Sequence, residues 1–143
     1  MAKTNFETRG TPAAESLMAD LFALGRVGYV AIGADHDMLL RKAPGVVDET
    51  TAETDFYEET LVNPTLLKLA SQRARIDCGG LSYVAIGYGD FTQLILLTRD
   101  GHVSLGVSKK EPVRELAGRV HDVLEKHDLA WRPAPTWLLA EEV

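Results

Sequence analysis

The chain is short of almost everything that marks a specialised class. It has one cysteine, Cys78, in 143 residues. An intramolecular disulfide is therefore impossible, and a secreted disulfide scaffold is excluded. Its uninterrupted apolar stretches stop at four or five residues, as at 94–97, where a membrane span needs roughly 20. Basic residues are in the minority, 15 Lys and Arg against 21 Asp and Glu, for a net charge of −6. That balance opposes a grip on nucleic acid, which relies on cations neutralising phosphates. The best basic cluster, Lys109, Lys110 and Arg114, is too small to reverse it. The first residues include an acid and no apolar core, so they do not read as a secretory signal, and the expected compartment is the cytosol.

What is present is an ordinary globular balance, 45% hydrophobic and 25% charged. The length suits one domain of the usual roughly 100–150 residues. Residues 1–10 are polar and read as a flexible N-terminus, 11–130 as the domain, and 131–143 as a tail with two tryptophans, two prolines and a Leu138-Leu139 pair. Thr11-Pro12 is a helix start, with an N-cap followed by proline at the first helical position. Leu17, Met18, Leu21 and Leu24 supply one apolar stripe, which predicts a helix over 12–24 ended by Gly25. Runs at 27–33 and 38–42, joined by a polar turn, read as a β-hairpin. Asp48, Glu49, Glu53, Asp55, Glu58 and Glu59 then form an acidic connector over 46–63 without balancing base, read as solvated, with a helical turn near 56–61. Asn63-Pro64 repeats the helix-start signature, and a second helix is expected over 64–75. After Gly79-Gly80 come three β-rich runs, 81–87, 91–98 and 102–107. They alternate poorly, which suggests strands covered on both faces. Val113, Leu116, Ala117, Val120, Val123 and Leu124 mark the cleanest amphipathic helix, ending near His127. Tyr29-Val-Ala-Ile-Gly33 recurs as Tyr83-Val-Ala-Ile-Gly87, but nothing else repeats in register. Similar packing of two strands explains the echo better than a repeat array, which needs three or more copies.

No catalytic pattern stands out. Cys78 lacks a Cys-His neighbourhood, and an incidental thiol is favoured. His36, His102, His121 and His127 lack the three- or four-residue spacing of a helical metal pair, so no metal site is expected and surface or turn positions are. Gly87-Tyr88-Gly89 lacks the third glycine and the following helix of a dinucleotide loop, and reads as a β-turn. The acidic connector lacks the alternation and central glycine of a calcium loop. No catalytic residue, cofactor or metal ligand is assigned. An acid–base pair such as Asp90 with His102 would be the starting point for a hydrolase or isomerase, but no motif supports one. Tyr83, Tyr88 and Phe91 cluster about one turn, either as core packing or as a partner-facing patch.

The element order α-β-β-α-β-β-β-α predicts an α+β domain. One five-stranded antiparallel sheet, with helices on both faces, absorbs it. The stretch 63–127, with its middle helix, Gly79-Gly80 break, "LSYVAIGYGDFTQLILLTRDGHVSLGV" and final amphipathic helix, resembles the roadblock / dynein light chain family, whose fold is profilin-like. The connector is long for that family, and the tail beyond residue 131 has no counterpart in it. The resemblance implies a non-enzymatic scaffold or regulator that pairs with itself by joining edge strands and packing middle helices. It further implies a partner such as a Ras-like small GTPase or a motor or signalling complex, while the charge balance and the short apolar stretches lead to the expectation of neither nucleic acid nor membrane as a partner. Here the edge strand would be 81–88 and the helix 64–75, with Leu66, Leu67, Ala70, Leu81, Tyr83, Val84, Ile86 and Tyr88 at the interface. Independently, an uncharged, proline-free edge strand invites another chain to pair with it. The rival reading is a small-molecule sensor of GAF, PAS or profilin-like type, holding a ligand in an apolar pocket.

Overall fold

The computed structural model describes residues 11–34, 37–43, 55 and 57–130. Thr11 opens the first helix, α1 (Pro12–Phe22). Its hydroxyl accepts from the Ala14 amide at 3.1 Å, and Pro12 takes a position whose N–H would have no helical acceptor anyway. The helix stops two residues short of the expected end. Ala23 caps it, and Gly25 and Arg26 then take φ of 90° and 58° to turn the chain into the sheet.

Five strands follow in the expected order: β1 (Val27–Ala34), β2 (Asp37–Lys42), β3 (Val84–Gly87), β4 (Thr92–Leu97) and β5 (Gly101–Val107). Between β2 and β3 stand a π-helical turn, Glu58–Val62, and helix α2 (Asn63–Asp77). Helix α3 (Val113–Lys126) follows β5. All neighbouring strands are antiparallel, in the spatial order β2-β1-β5-β4-β3. The chain is therefore the five-stranded α+β sheet that the element order predicts.

Strand parity divides the core. Val30, Leu94, Leu96, Val103 and Leu105 turn to one face and meet Leu17, Met18 and Leu21 of α1 and Leu116, Val120 and Leu124 of α3. Each such side chain, fully buried, contributes roughly 1.5–3 kcal/mol. Tyr29, Ala31, Met38 and Leu40 form a second cluster on the opposite face. Gln93, His102 and Ser104 share that face, and the π turn covers it through Glu59. With both faces covered, strict apolar–polar alternation is not required, which accounts for the blurred pattern of β4 and β5.

Strand β3 is shorter than the expected 81–87. Gly79 and Gly80 take φ of 79° and 95°, so the chain leaves α2 on a left-handed path. In the register that sets Val84 against Ile95, residue 81 would face Thr98, and Thr98 is already bridged by Ala130. The N-terminal segment, the turn with His36, most of the acidic stretch and the tail from Trp131 lie outside the described residues.

Gly33 is required where it stands. A Cβ there would lie 2.7 Å from Cε1 and 3.0 Å from Nδ1 of His102, its cross-strand neighbour. Gly33→Ala is expected to displace that ring and lower the urea unfolding free energy by about 1–3 kcal/mol. An unchanged midpoint would show that the ring has room to move.

Candidate interaction surface

The sheet has two edges, and they are guarded differently. Edge strand β2 carries Arg41 and Lys42. Arg41 pairs with Glu15 of α1 at 2.9 Å, and Lys42 with buried Asp55 at 3.1 Å. Charge and covering chain are both standard protections for an edge. Strand β3, at the other edge, has Val84, Ala85, Ile86 and Gly87 and, among the described residues, pairs with β4 alone. Val84 and Ile86 are half-buried. Tyr88, at the strand end, is exposed and packs on Phe91 with ring centroids 5.2 Å apart.

Helix α2 presents a second open surface. Asn63, Leu67 and Ala74 turn inward. Leu66, Leu69 and Ile76 lie on the opposite stripe at 37%, 60% and 65% exposure, and Leu61 of the π turn is 50% exposed. These apolar side chains share the outer face with the exposed Arg73–Asp77 ion pair, so the surface is mixed, with more exposed aliphatic area than a solvated helix needs. Of the residues expected at the interface, Leu66, Leu81, Tyr83, Val84, Ile86 and Tyr88 keep exposed or half-exposed surface, and Ala70 is half-buried. Leu67 is different: at 3% exposure it belongs to the interior of its own chain, because the helix phase turns it toward Asn63 and Ala74. Leu69 and Ile76 are the outward residues that sequence reasoning missed.

Two adjacent glutamates on the π turn bond to different parts of the sheet. Glu58 accepts from the Tyr88 hydroxyl at 2.6 Å. That bond, with some burial, pushes the Tyr88 phenol up to about 12. Partial burial, with the nearby charges of Glu59 and Asp55, holds the Glu58 carboxyl above its ordinary value despite the Tyr88 bond.

Glu59 goes the other way, fully into the sheet. Its Oε1 accepts from His102 Nε2 at 3.0 Å, and its Oε2 from Gln93 Nε2 at 3.0 Å and from the Tyr29 hydroxyl. Gln93 Nε2 also lies 2.8 Å from the Tyr29 oxygen and 2.6 Å from Ser104 Oγ. Burial alone would raise the Glu59 carboxyl. The bonds from His102 and Tyr29, together with the charge His102 carries when protonated, outweigh it and hold Glu59 below its ordinary value. Burial and the Glu59 carboxylate push the Tyr29 phenol far up. Asn63, one turn on, is buried beside this network, yet neither of its amide atoms has a hydrogen-bond partner of good geometry among the described residues.

Two expectations are corrected here. Asp55 and Glu59 are buried rather than solvated, because β1, β2, β4 and β5 supply donors or a cation to receive them. His102 is a buried strand residue rather than a turn residue, and its partner is Glu59, while Asp90 is exposed. The legible signal was Tyr29, Gln93, His102 and Ser104 at one parity of three apolar strands. Cys78 is exposed, with Arg73 Nη1 at 3.5 Å and Asp77 beside it, and His127 bonds to Asp20 at 2.7 Å. Among the described residues no cluster of His, Cys, Asp or Glu could hold a metal, and no helix is long and apolar enough to cross a membrane.

No protein-family model matches the sequence, and no curated protein does. Solved structures do match in shape. One is the gliding protein MglB from Thermus thermophilus, with a TM-score of 0.59 over 88% of this chain and 97% of that one, at 9% identity. Another is MglB in a tetrameric arrangement, with a TM-score of 0.54 over 88% of this chain and 99% of that one, at 7% identity. The chain has a roadblock-like fold. At such low identity the likeness carries the fold and leaves every side-chain role to be argued from this chain alone. In the roadblock-like frame, β3 is the open edge and α2 the middle helix.

The pKa of Glu59 sets a pH dependence. The unfolded chain holds that proton more tightly than the folded one, so Glu59 contributes stability above pH of about 4.3, which is lost as pH falls through the lower folded value. Urea unfolding across acid pH should show a steeper loss for the native chain than for Glu59→Gln. At neutral pH the variant should be about 1–3 kcal/mol less stable. Parallel acid profiles would mean that Glu59 is not held as a buried carboxylate.

Proposed function

We propose that this chain is a non-enzymatic regulatory module that acts in the cytosol as a homodimer. The observation that carries this reading is that β3, an edge strand of the sheet without charge or proline, is followed by Tyr88, which bonds to Glu58 of the turn leading into α2 with its exposed Leu61, Leu66, Leu69 and Ile76. Two copies related by a two-fold axis would extend the sheet across β3 and pack their α2 helices together. Magnitudes favour using both surfaces. Burying what remains exposed of those four side chains in both protomers is worth roughly 6–12 kcal/mol. Against an association cost of about 4–15 kcal/mol, a helix pair alone is marginal. Strand pairing supplies the directional remainder.

The partner proposed for the dimer is a Ras-like small GTPase, regulated by shape and apolar complementarity rather than by bond chemistry of this chain. The roadblock-like fold and the match to MglB support that choice. A sensor of GAF or PAS type would enclose its ligand against the sheet. Here the two sheet faces are occupied by α1 with α3 and by the π turn.

Light scattering coupled to size exclusion should give a dimer mass at micromolar concentration. Leu69→Glu with Ile76→Glu, and separately Val84→Lys, should give monomers with unchanged circular dichroism. A native monomer would remove the reading. Dimers that survive all these changes would remove this surface from it. Incubation with Ras-like GTPases of the native host should show nucleotide-dependent binding, and a dimer indifferent to all of them would leave scaffolding without GTPase regulation.

A further inference from the structure

On the α1/α3 face, away from the buried glutamate, an open groove of about 720 Å³ runs between α3 and the segment 81–83. Leu81, Tyr83, Leu96, Leu97 and Ala117 give it an apolar lining, and Arg114, Glu115, Arg119 and Asp122 form a rim of mixed sign. Gly118 lies in its α3 wall, and a Cβ there would meet nothing within 4 Å. The chain itself is delivered to this groove. After α3, Asp128 takes φ of 59°, Leu129 accepts from the Arg99 amide at 3.0 Å, and Ala130 forms an antiparallel bridge with Thr98. That bridge leaves Ala130 opposite Thr98, next in sequence to Leu97 of the groove lining.

We propose that the segment 131–139 of the same chain occupies this groove. The segment begins one residue after the bridge, and the thirteen residues 131–143 can span roughly 40 Å when extended. It carries Trp131, Trp137, Leu138 and Leu139, apolar area that matches the lining. Pro133 and Pro135 lack amide donors, so the segment is suited to lie extended in a groove and not to prolong the β4 ladder. Arg132 at one end and Glu141 and Glu142 at the other suit a rim that offers both signs. The docked segment lies beside residues 81–83 and leaves 84–87 as the free length of the β3 edge. This assignment goes beyond the regulatory reading and stands without it.

Both tryptophans of the chain lie in this segment, so intrinsic tryptophan fluorescence of the full chain reads it alone. The native protein should emit at a position shifted to the blue of hydrated tryptophan and resist iodide quenching. Gly118→Arg fills the α3 wall and raises helix propensity. It should return the emission to the hydrated position without loss of helical circular dichroism. The Leu69→Glu, Ile76→Glu monomer should keep the shielded emission. Hydrated emission in the folded native chain would overturn the proposal. Shielded emission untouched by Gly118→Arg would place the segment elsewhere and overturn it as well. Shielded emission lost on dilution, or in the monomeric variant, would assign the groove to a second copy's tail instead.

Discussion

The covering of one sheet face depends on a single carboxylate. Among the described residues, α2 packs mainly on the π turn that precedes it, and that turn reaches the sheet through Glu59. Burying a carboxylate costs several kcal/mol unless its oxygens are met by well-placed donors. Tyr29 from β1, Gln93 from β4 and His102 from β5 meet them, so one side chain draws three strands together under the crossover. A buried charge of this kind is weak support for stability, but it admits few positions, since any slip leaves it unpaired. Gly33 belongs to the same arrangement, because only a residue without a side chain lets the His102 ring lie against β1.

The π turn explains how neighbours in sequence serve opposite ends of one surface. Local widening of the helix is a recognised way to redirect side chains at functional positions. Here Glu59 points into the sheet while Glu58 meets Tyr88 at the end of β3. The turn that leads into α2 is thereby anchored both to the sheet face and to the residue that follows β3. The opposite edge, with Arg41 and Lys42 paired to Glu15 and Asp55, shows what a finished edge looks like in this chain. The difference between the two edges is the physical basis of the proposed function. The groove beside α3 extends the same logic, since apolar lining is again left where an apolar segment of the chain is at hand.

Element types and order were legible in the sequence because they rest on local rules. Thr11-Pro12 announces a capped helix, Asp100-Gly101 closes a hairpin, and the 3.6-residue spacing of Leu116, Val120 and Leu124 needs no partner to be seen. Asn63 before Pro64, by contrast, is no N-cap, because the chain is already helical through the π turn and the buried Asn63 side chain bonds no helix amide. The lack of charge and proline in 81–88 was legible as well, and the sheet puts the shorter strand formed there, 84–87, at an edge. Within α2 the phase was not. Leu66, Leu67 and Leu69 look alike in a row, and only the position of the π turn decides that Leu67 turns inward while Leu66 and Leu69 turn out.

By itself, then, the amino-acid order determined an ordinary globular composition and, among the described residues, the types and order of the helices and strands. Tertiary structure alone decided the fate of the acidic stretch. Asp55 and Glu59 read as solvated charges until Lys42, Tyr29, Gln93 and His102, between 13 and 43 residues away in the chain, are brought around them. The reason is physical: whether a charged side chain belongs in water or in the interior is settled by the donors that surround it, and those are contributed by strands that only the folded sheet makes neighbours.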